Sequence, residues 1–180
     1  MTDDQLIGLK IHNEKINRVT TESLRTALFS LMKNMDYRSI RITDICKKAG
    51  VSRTAFYRNF LSKDDLLECA VEEYTSELVL EIGSPFREST TEKWYEAMFE
   101  RVKEHESDLR TLFRSGLKYK YLSIVNDLVL HDPLISERSR YVRVFWAGAV
   151  VNVIIDWIDG GLKESVQNLA AYCTSCLKVK

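Results

Sequence analysis

The sequence predicts an all-α fold of about nine helices, and three observations support that prediction. Hydrophobic residues make up 45% of the 180-residue chain, which has only seven Gly and two Pro, so long uninterrupted helices are favoured. Apolar residues recur at three- and four-residue spacing along most of the chain. The stretch 42–63 has the layout of two short helices joined by a tight turn.

The stretch 42–63, ITDICKKAGVSRTAFYRNFLSK, predicts a helix over 42–49, a turn at 50–52 and a second helix over 53–60. Gly50 can end the first helix because Gly adopts the left-handed conformation without a side-chain penalty. Ser52 can cap the second helix through its hydroxyl. Such a helix-turn-helix fits its second helix into the major groove of duplex DNA. The alternative is a solvated helix pair in another helical protein, since the turn also occurs outside DNA-binding proteins.

The second helix carries side chains that suit contacts with DNA. We expect Arg53, Thr54 and Ala55 near base edges, with Asn59 as a further candidate. Arg58 could contact either bases or phosphates. Phosphate contacts are expected from Arg41, Thr43, Ser52, Tyr57 and Lys63.

The net charge of zero hides an asymmetry between the two parts of the chain. Residues 9–63 hold twelve Lys or Arg against four Asp or Glu, while residues 64–180 hold fourteen against twenty. A basic amino-terminal third suits attraction to phosphates. The start, MTDDQLIGLK, lacks the layout of a signal peptide, and no uninterrupted apolar run reaches the about 20 residues that span a bilayer. We therefore expect a cytoplasmic protein with no membrane partner, whose first sixteen or so residues form a frayed arm.

The residues around the turn resemble the tetracycline-repressor-like (TetR) family of bacterial regulators. Its members share the pattern D-I-x-x-x-A-G-V-S-x-x-x-F-Y-x-x-F-x-x-K-x-x-L. That pattern appears here as Asp44, Ile45, Ala49, Gly50, Val51, Ser52, Phe56, Tyr57, Phe60, Lys63 and Leu66. The resemblance implies an N-terminal three-helix helix-turn-helix DNA-binding domain over 1–63 and a C-terminal helical ligand-binding and dimerisation domain over 64–180. Members usually have Thr or Ser where this chain has Arg41, so Ser39 or Thr43 is expected to cap the first motif helix.

Apolar spacing predicts the other helices in order. The first spans residue 17 or 20 to residue 34, and Ser62 caps a long helix that ends before Gly83. Further helices are expected over 92–104, 108–114 and 117–130, before the break at Pro133. The core stripe of the first helix is expected to be Leu24, Ala27, Leu28, Leu31 and Met35.

Residues 136–159 form the most apolar predicted helix, in which only Asn152 is polar between Val144 and Ile155. A helix that is hydrophobic almost all round must be covered on nearly every side. One chain of this size can cover one face, so we expect a second copy to cover the other and to form a two-fold dimer, completed by a last helix over 163–177. The alternative is a helix that lies centrally in a single chain. The expected interface residues are Phe145, Gly148, Asn152, Ile155, Leu169 and Cys173.

These patterns and the resemblance predict a homodimeric transcriptional repressor that binds palindromic operator DNA. Two recognition helices about 34 Å apart would read an inverted repeat. A small-molecule effector would bind the body and release the DNA, although whether one exists is open. Its candidate contacts are Trp94, Met98, Phe113 and Tyr121, which could equally be plain core. The alternative function is an adaptor that acts through protein partners, against which the intact Arg53–Lys63 face argues.

No catalytic or metal-binding motif accompanies the helix-turn-helix. The chain lacks a Gly-rich phosphate loop, a nucleophile elbow and a paired His and carboxylate at fixed spacing. Cys173 and Cys176 share the last helix, but no His lies at a zinc-site spacing. We interpret these thiols as packing residues, with redox sensing as the alternative, and we expect no catalytic residue, metal or cofactor.

Overall fold

The computed structural model describes residues 3–83, 86, 91–131 and 140–176, with side chains from residue 16 onward except that of Val79. Within these ranges the chain has nine α-helices, one short 3-10 helix and no strand, which confirms the all-α prediction. The chain forms two compact units, residues 1–70 and 71–180. Each unit has its own core, and the fourth helix begins in the first unit and ends in the second.

The first unit is built from three helices and the start of a fourth. The helix α1 spans Asp3–Met32, α2 spans Ile42–Ala49, α3 spans Arg53–Asn59 and α4 spans Lys63–Ile82. A 3-10 turn over Tyr37–Ser39 joins α1 to α2. Because α1 begins at Asp3, the expectation of a frayed amino-terminal arm is wrong. Residues 3–16 contain one Gly and no Pro, and many of their polar residues are good helix formers.

The α1 stripe packs on α2 and α3, with two differences from the prediction: Leu31 is half-buried, and Met35 is exposed. Leu24, Ala27 and Leu28 are buried as expected, but the next buried position is Met32. Met35 lies beyond the end of α1 and is 40% exposed. Met32 follows Leu28 by four residues and therefore continues the same face of the helix. The rest of this core is formed by Tyr37, Ile40, Ile45, Cys46, Phe56, Phe60, Leu66, Leu67 and Ala70.

The second unit contains the rest of α4 and five further helices. They are α5 over Glu92–Glu104, α6 over Glu106–Arg114, α7 over Lys118–His131, α8 over Arg140–Asp159 and α9 over Val166–Cys176. The helix α5 packs against α9, and α7 packs against α8. The predicted break at Pro133 and the predicted start of the long apolar helix at residue 136 lie outside the described residues.

Aromatic side chains fill the centre of the second unit. The indole N–H of Trp146 donates to the hydroxyl of Tyr95 at 3.0 Å, so the polar atoms of both buried rings are satisfied. Phe99 meets Trp157 edge-on, with 5.5 Å between the ring centroids. This hydrogen bond and ring contact tie α5 to α8.

Arg143 is the one buried charged side chain among the described residues. Its guanidinium donates to the carbonyls of Val129 at 3.2 Å and Leu130 at 2.9 Å, which belong to the last turn of α7. Those carbonyls carry the negative end of the helix dipole and lack partners within their own helix. Arg143 therefore caps α7 from the neighbouring helix.

The helix α8 is buried on one side only. By length and composition alone it is apolar enough to cross a membrane, and 44% of its most apolar window is buried inside the protein. Trp146, Val150 and Ile154 lie in the core, whereas Phe145 is 70% exposed. The described residues therefore leave one side of α8 uncovered.

Candidate nucleic-acid interface

The turn between α2 and α3 has the geometry that the sequence predicts. Gly50 is left-handed, with φ 70° and ψ 26°. The N–H of Val51 donates to the carbonyl of Cys46 at 3.0 Å, so the chain leaves α2 through a hydrogen-bonded C-terminal cap. The prediction of a left-handed Gly50 is confirmed.

Ser52 begins α3 as predicted. Its hydroxyl accepts a hydrogen bond from the N–H of Ala55 at 3.1 Å, which satisfies one of the free donors in the first turn. Phe56 and Ile45 are completely buried and join α3 to the core of the first unit. The cap and the buried ring together fix which face of α3 points to solvent.

The start of α2 differs from the expectation. The N-cap residue is Arg41, and its backbone N–H donates to the carboxylate of Asp44 at 3.0 Å. Ser39 lies in the 3-10 turn and Thr43 lies inside α2, so neither caps the helix as the sequence analysis expected. An acidic side chain three residues after the N-cap satisfies the N-cap N–H and also suits the positive end of the helix dipole.

The solvent face of α3 carries four exposed polar or aromatic side chains. Arg53, Thr54, Tyr57 and Arg58 line an open depression of about 580 Å³. The Arg53 guanidinium lies over the Tyr57 ring, with 5.8 Å from Cζ to the ring centroid. A guanidinium held by an aromatic face loses less side-chain freedom when it binds, and its N–H fork stays free.

Ala55 and Asn59 are half-buried on the same helix. The Asn59 amide donates to the carbonyl of Ala55 at 2.9 Å, so one of its two N–H groups is engaged within α3. Arg41 and Thr43 are both exposed near the start of α2. The exposed surface of the first unit thus includes most of the side chains that the sequence analysis assigned to DNA.

Lys63 has a structural role that the sequence analysis did not predict. Its ammonium donates to the carbonyls of Tyr37 at 2.6 Å, Arg38 at 3.2 Å and Ile40 at 3.0 Å, and it lies 4.4 Å from the centre of the Tyr37 ring. All three ammonium donors are therefore engaged within the fold. A direct contact between Lys63 and a phosphate would have to replace at least one of these bonds.

Tyr37, whose carbonyl accepts from Lys63, also binds the start of α4 through its side chain. Its hydroxyl donates to the carboxylate of Asp64 at 2.5 Å, and burial followed by this carboxylate raises the pKa of Tyr37 far above its usual value. This role of Tyr37 was not predictable from the sequence, because its partners lie more than twenty residues away. Nothing local in the sequence announces such a contact.

Two further basic side chains, Lys47 and Lys48, are exposed in the last turn of α2. They suit the negative end of the α2 dipole and add positive charge to the first unit. They were not among the predicted contacts, although two adjacent lysines directly before Ala49 and Gly50 were a visible signal.

The four candidate effector contacts fall into different environments in the second unit. Met98, Phe113 and Tyr121 are buried, and Phe113 meets Tyr121 edge-on at 5.4 Å. Burial raises the pKa of Tyr121, so its hydroxyl stays protonated. Trp94 is half-buried, and its indole N–H donates to the carbonyl of Gly83 at 3.0 Å.

The six expected interface residues also differ in exposure. Phe145 and Asn152 are exposed, and Gly148 and Ile155 are half-buried on the same face of α8. Leu169 and Cys173 are buried within the chain itself, so they offer little surface to a partner. The exposed apolar side chain of α9 is Tyr172, at 56%.

The cysteines remain free thiols in the structure. Burial, with a smaller effect from Cys176, raises the pKa of Cys173 to about 11, which keeps that thiol protonated and unreactive at neutral pH. Among the residues that the structure describes, no group of three or more His, Cys, Asp or Glu could hold a metal ion.

Three solved structures share this fold across most of their length. A protein from Listeria innocua superposes with a TM-score of 0.73 at 18% identity, covering 88% of each chain. A TetR transcriptional regulator from Streptococcus agalactiae gives 0.66 at 21% identity, covering 94% of this chain and 99% of its own. The transcriptional regulator FadR from Bacillus subtilis, crystallised with stearoyl-CoA, gives 0.56 at 15% identity, covering 88% and 97%. No curated protein matches the chain.

Two family descriptions match the sequence itself. Residues 25–70 match the family described as bacterial regulatory proteins, tetR family, and residues 89–178 match the family described as transcriptional regulator C-terminal region. The first match contains the whole α2–turn–α3 motif, and the second covers half of the chain. These families consist of DNA-binding transcription factors and not of enzymes. The chain belongs to the TetR family of bacterial transcriptional regulators, and its N-terminal domain is the DNA-binding one.

Proposed function

We propose that this regulator is a cytoplasmic homodimeric repressor that binds an inverted-repeat operator. Residues 1–63 would form the DNA-binding domain and residues 64–180 the regulatory and dimerisation domain. The observation that carries the proposal is the solvent face of α3, where Arg53, Thr54, Tyr57 and Arg58 are exposed together and the Ser52 cap and buried Phe56 fix their direction. Repression needs no further activity, since a protein on its operator blocks access to the DNA.

Contacts with base edges are assigned to Arg53, Thr54 and Ala55, with Asn59 and Arg58 beside them. Arginine pairs with guanine through two hydrogen bonds, and the methyl groups of Thr54 and Ala55 suit that of thymine. Phosphate contacts are assigned to Ser52, Tyr57, Arg41 and Thr43, to which the exposure of Lys47 and Lys48 adds two cations. The Ser52 hydroxyl can still donate to a phosphate while it accepts from Ala55. We leave Lys63 out, because its donors are engaged within the fold.

The second copy is proposed to cover the exposed face of α8. An exposed apolar patch of this kind commonly marks a protein interface. Phe145, Gly148, Asn152 and Ile155 share that face, and Tyr172 of α9 is the better candidate than the buried Leu169 and Cys173. A dimer would present two copies of α3 to successive major grooves on one side of the DNA.

An effector site in the second unit is supported by Tyr74 of α4. Its hydroxyl is buried and has no hydrogen-bond partner in the described part of the chain, while Tyr121 and the half-buried His105 lie beside it. A buried polar atom without a partner is costly unless water or a ligand satisfies it. We propose a largely apolar effector with one hydrogen-bonding group, for which Met98, Phe113 and Tyr121 supply apolar surface. Trp94 is retained as a further candidate.

The effector proposal is tested by thermal unfolding with a panel of apolar compounds that each carry one polar group. A compound that raises the unfolding temperature of the parent chain, and raises that of Tyr74→Phe less, supports the site. Equal shifts in the two proteins would place the compound elsewhere.

The operator proposal is tested by selecting fragments of the source genome with the purified protein. We expect enrichment of a small set of fragments that share an inverted repeat, and loss of that enrichment with Arg53→Ala. The adaptor alternative, in which the body binds partner proteins and the chain does not bind operators, predicts no enriched fragment with either protein.

A further inference from the structure

We propose that the first turn of α8 binds a small oxyanion, a carboxylate or a phosphate group, through Arg143 and Arg140. None of the residues assigned above to DNA, to the effector or to the second copy belongs to this site. The inference therefore goes beyond the proposed function and can fail while the proposed function stands.

Arg143 has hydrogen-bond donors that the protein itself does not use. Its Nη1 atom donates to the carbonyls of Val129 at 3.2 Å and Leu130 at 2.9 Å, so both N–H groups of that nitrogen are engaged. The Nε atom is buried and has no hydrogen-bond partner among the described residues. Two parallel N–H groups along one edge of a guanidinium match the two oxygens of a carboxylate or a phosphate. The edge formed by Nε and Nη2 therefore suits an oxyanion.

The positive charge of Arg143 is only partly compensated. The carboxyl end of α7 supplies the equivalent of about half a negative charge. Two less buried arginines, Arg101 and Arg110, pair with the carboxylates of Glu81 and Glu106. Arg143 is only 9% exposed, yet no carboxylate of the described residues pairs with it. Because a buried charge without a full counter-charge is unfavourable, a bound anion would stabilise the fold here.

The surroundings of Arg143 attract anions. The helix α8 begins at Arg140, and the N–H groups of its first turn carry the positive end of the helix dipole. Arg140 is exposed and precedes Arg143 by three residues, which places both arginines on one face of α8. Residues 138–143 contain three arginines and no acidic residue, although residues 64–180 hold more Asp and Glu than Lys and Arg. This concentration of positive charge favours an anion over a neutral or cationic ligand.

The test is thermal unfolding of the full chain with increasing inorganic phosphate or acetate, each compared with sodium chloride at equal ionic strength. At about ten times its dissociation constant, a ligand raises the unfolding temperature of a chain of this size by about 3–6 °C. We expect such a rise in the parent chain with at least one of the two anions. A rise with phosphate alone would identify a phosphate group as the ligand, and a rise with acetate alone would identify a carboxylate.

Four variants locate the site. Arg143→Lys keeps the positive charge and can still donate to the carbonyls of α7, but it lacks the two parallel N–H groups, so it should lose most of the rise. Arg140→Gln removes an exposed charge and should reduce the rise. The control Arg114→Gln removes an exposed charge from α6 and should keep the rise of the parent, as should Tyr74→Phe at the proposed effector site.

The outcomes that overturn the proposal are distinct. An equal rise in the parent and all four variants would mean an adventitious ion only. Loss of the rise with Tyr74→Phe would place the anion at the effector site. If Arg143→Lys does not fold, the comparison of Arg140→Gln with Arg114→Gln decides the result, and equal rises in those two reject the site. The proposal also fails if neither anion raises the unfolding temperature of the parent more than sodium chloride does. A lowered unfolding temperature of Glu137→Gln would then show that the chain supplies its own carboxylate.

Discussion

At the scale of single residues, substitutions of Arg53 and Tyr57 test the proposed DNA contacts of α3. The two side chains are neighbours on the solvent face of α3, and neither is needed for the core beneath them. Arginine at a base edge and tyrosine at a phosphate act differently, since the first affects which sequence is bound and the second affects how tightly any sequence is bound.

We expect Arg53→Ala and Tyr57→Ala to abolish retardation of the operator in a gel, each through a loss of about 1–3 kcal/mol per half-site. Sedimentation should show an unchanged dimer for both variants. Arg110→Ala, which removes an arginine from α6 in the second unit, serves as the control and should bind like the parent. Parent-like binding by both α3 variants would refute the assignment of the site.

Lys63 separates a structural role from a role in DNA binding. Lys63→Met should lower the free energy of unfolding by about 1–3 kcal/mol, because three backbone carbonyls lose a charged donor. The salt dependence of operator binding should stay unchanged, whereas Arg58→Met should reduce its slope by about one if Arg58 holds a phosphate. If Lys63→Met also reduced the slope of the salt dependence, Lys63 would contact a phosphate after all, as its place in the motif suggests.

The sequence could predict which side chains of α3 face solvent, but it could not predict the hydrogen-bond partners of Lys63. The α3 assignments depend on residue type and helical spacing, which are local. Lys63 binds carbonyls twenty-three to twenty-six residues away, and one of them belongs to Tyr37, whose hydroxyl in turn binds Asp64. Contacts over that separation are set by tertiary packing and leave no local signal.

At the scale of elements, the turn between α2 and α3 sets the direction of the solvent face of α3. Gly50 ends α2 in the left-handed region and Ser52 starts α3 within two residues. The turn tolerates little change in length or conformation, because Ile45 and Phe56 on its two sides are both fully buried. The backbone conformation of Gly50 therefore determines how α3 is oriented.

Gly50→Ala should lower the free energy of unfolding by about 1 kcal/mol, since a side chain in the left-handed region is strained. Gly50→Asn should cost less, because Asn tolerates that region better than other residues. No atom lies within 4 Å of a Cβ at Gly50, so strain and not crowding decides the result. Denaturant unfolding measures both values. Equal losses for Ala and Asn would show that the backbone conformation is not the cause.

Helix boundaries were predictable where a cap or breaker is local, and not elsewhere. Ser62 accepts from the N–H of Asp65 at 3.1 Å, as its position before an acidic turn suggests. The start of α1 at Asp3 and the cap at Arg41 were not predictable from the same rules, because a polar segment without a breaker and an N-cap residue without a short acceptor side chain give weak signals. Arg143 is a similar case, since its use as a cap for α7 depends on the packing of two helices.

At the scale of the whole molecule, buried phenols and thiols govern stability at high pH. Burial is the main cause that raises the pKa of Tyr37, Tyr74, Tyr95 and Tyr121, with Tyr95 at about 12, and it raises that of Cys173 to about 11. The unfolded chain ionises these groups at their ordinary values, about 8.5 for a thiol and about 10 for a phenol. Above those values the unfolded state therefore releases more protons than the folded state.

We expect these groups to leave the free energy of unfolding unchanged below about pH 8. The free energy of unfolding should fall above about pH 9, and more steeply above about pH 10. Urea unfolding between pH 7 and pH 11 measures this. Tyr95→Phe should reduce the loss above pH 10, whereas the control Tyr119→Phe, at an exposed ring, should leave it as in the parent. A parent stability that stays constant up to pH 11 would contradict the prediction.

The fold class and the family were predictable because they depend on patterns that extend along the whole sequence. The helical spacing, the scarcity of Gly and Pro, and the fixed positions around the turn all agree with the structure. The apolar character of α8 was equally visible, but which side of it stays exposed was not. Leu169 and Cys173 illustrate this, since only the packing of α5 on α9 shows that their own chain already buries them.

The central claim is that two copies of the chain hold two α3 helices against one inverted repeat. The most direct measurement is the mass of the operator complex, determined by sedimentation on a duplex that carries a single selected repeat. We expect two chains per duplex, and a large loss of affinity when one half of the repeat is scrambled. One chain per duplex, or equal affinity for the intact and the half-scrambled repeat, would contradict it.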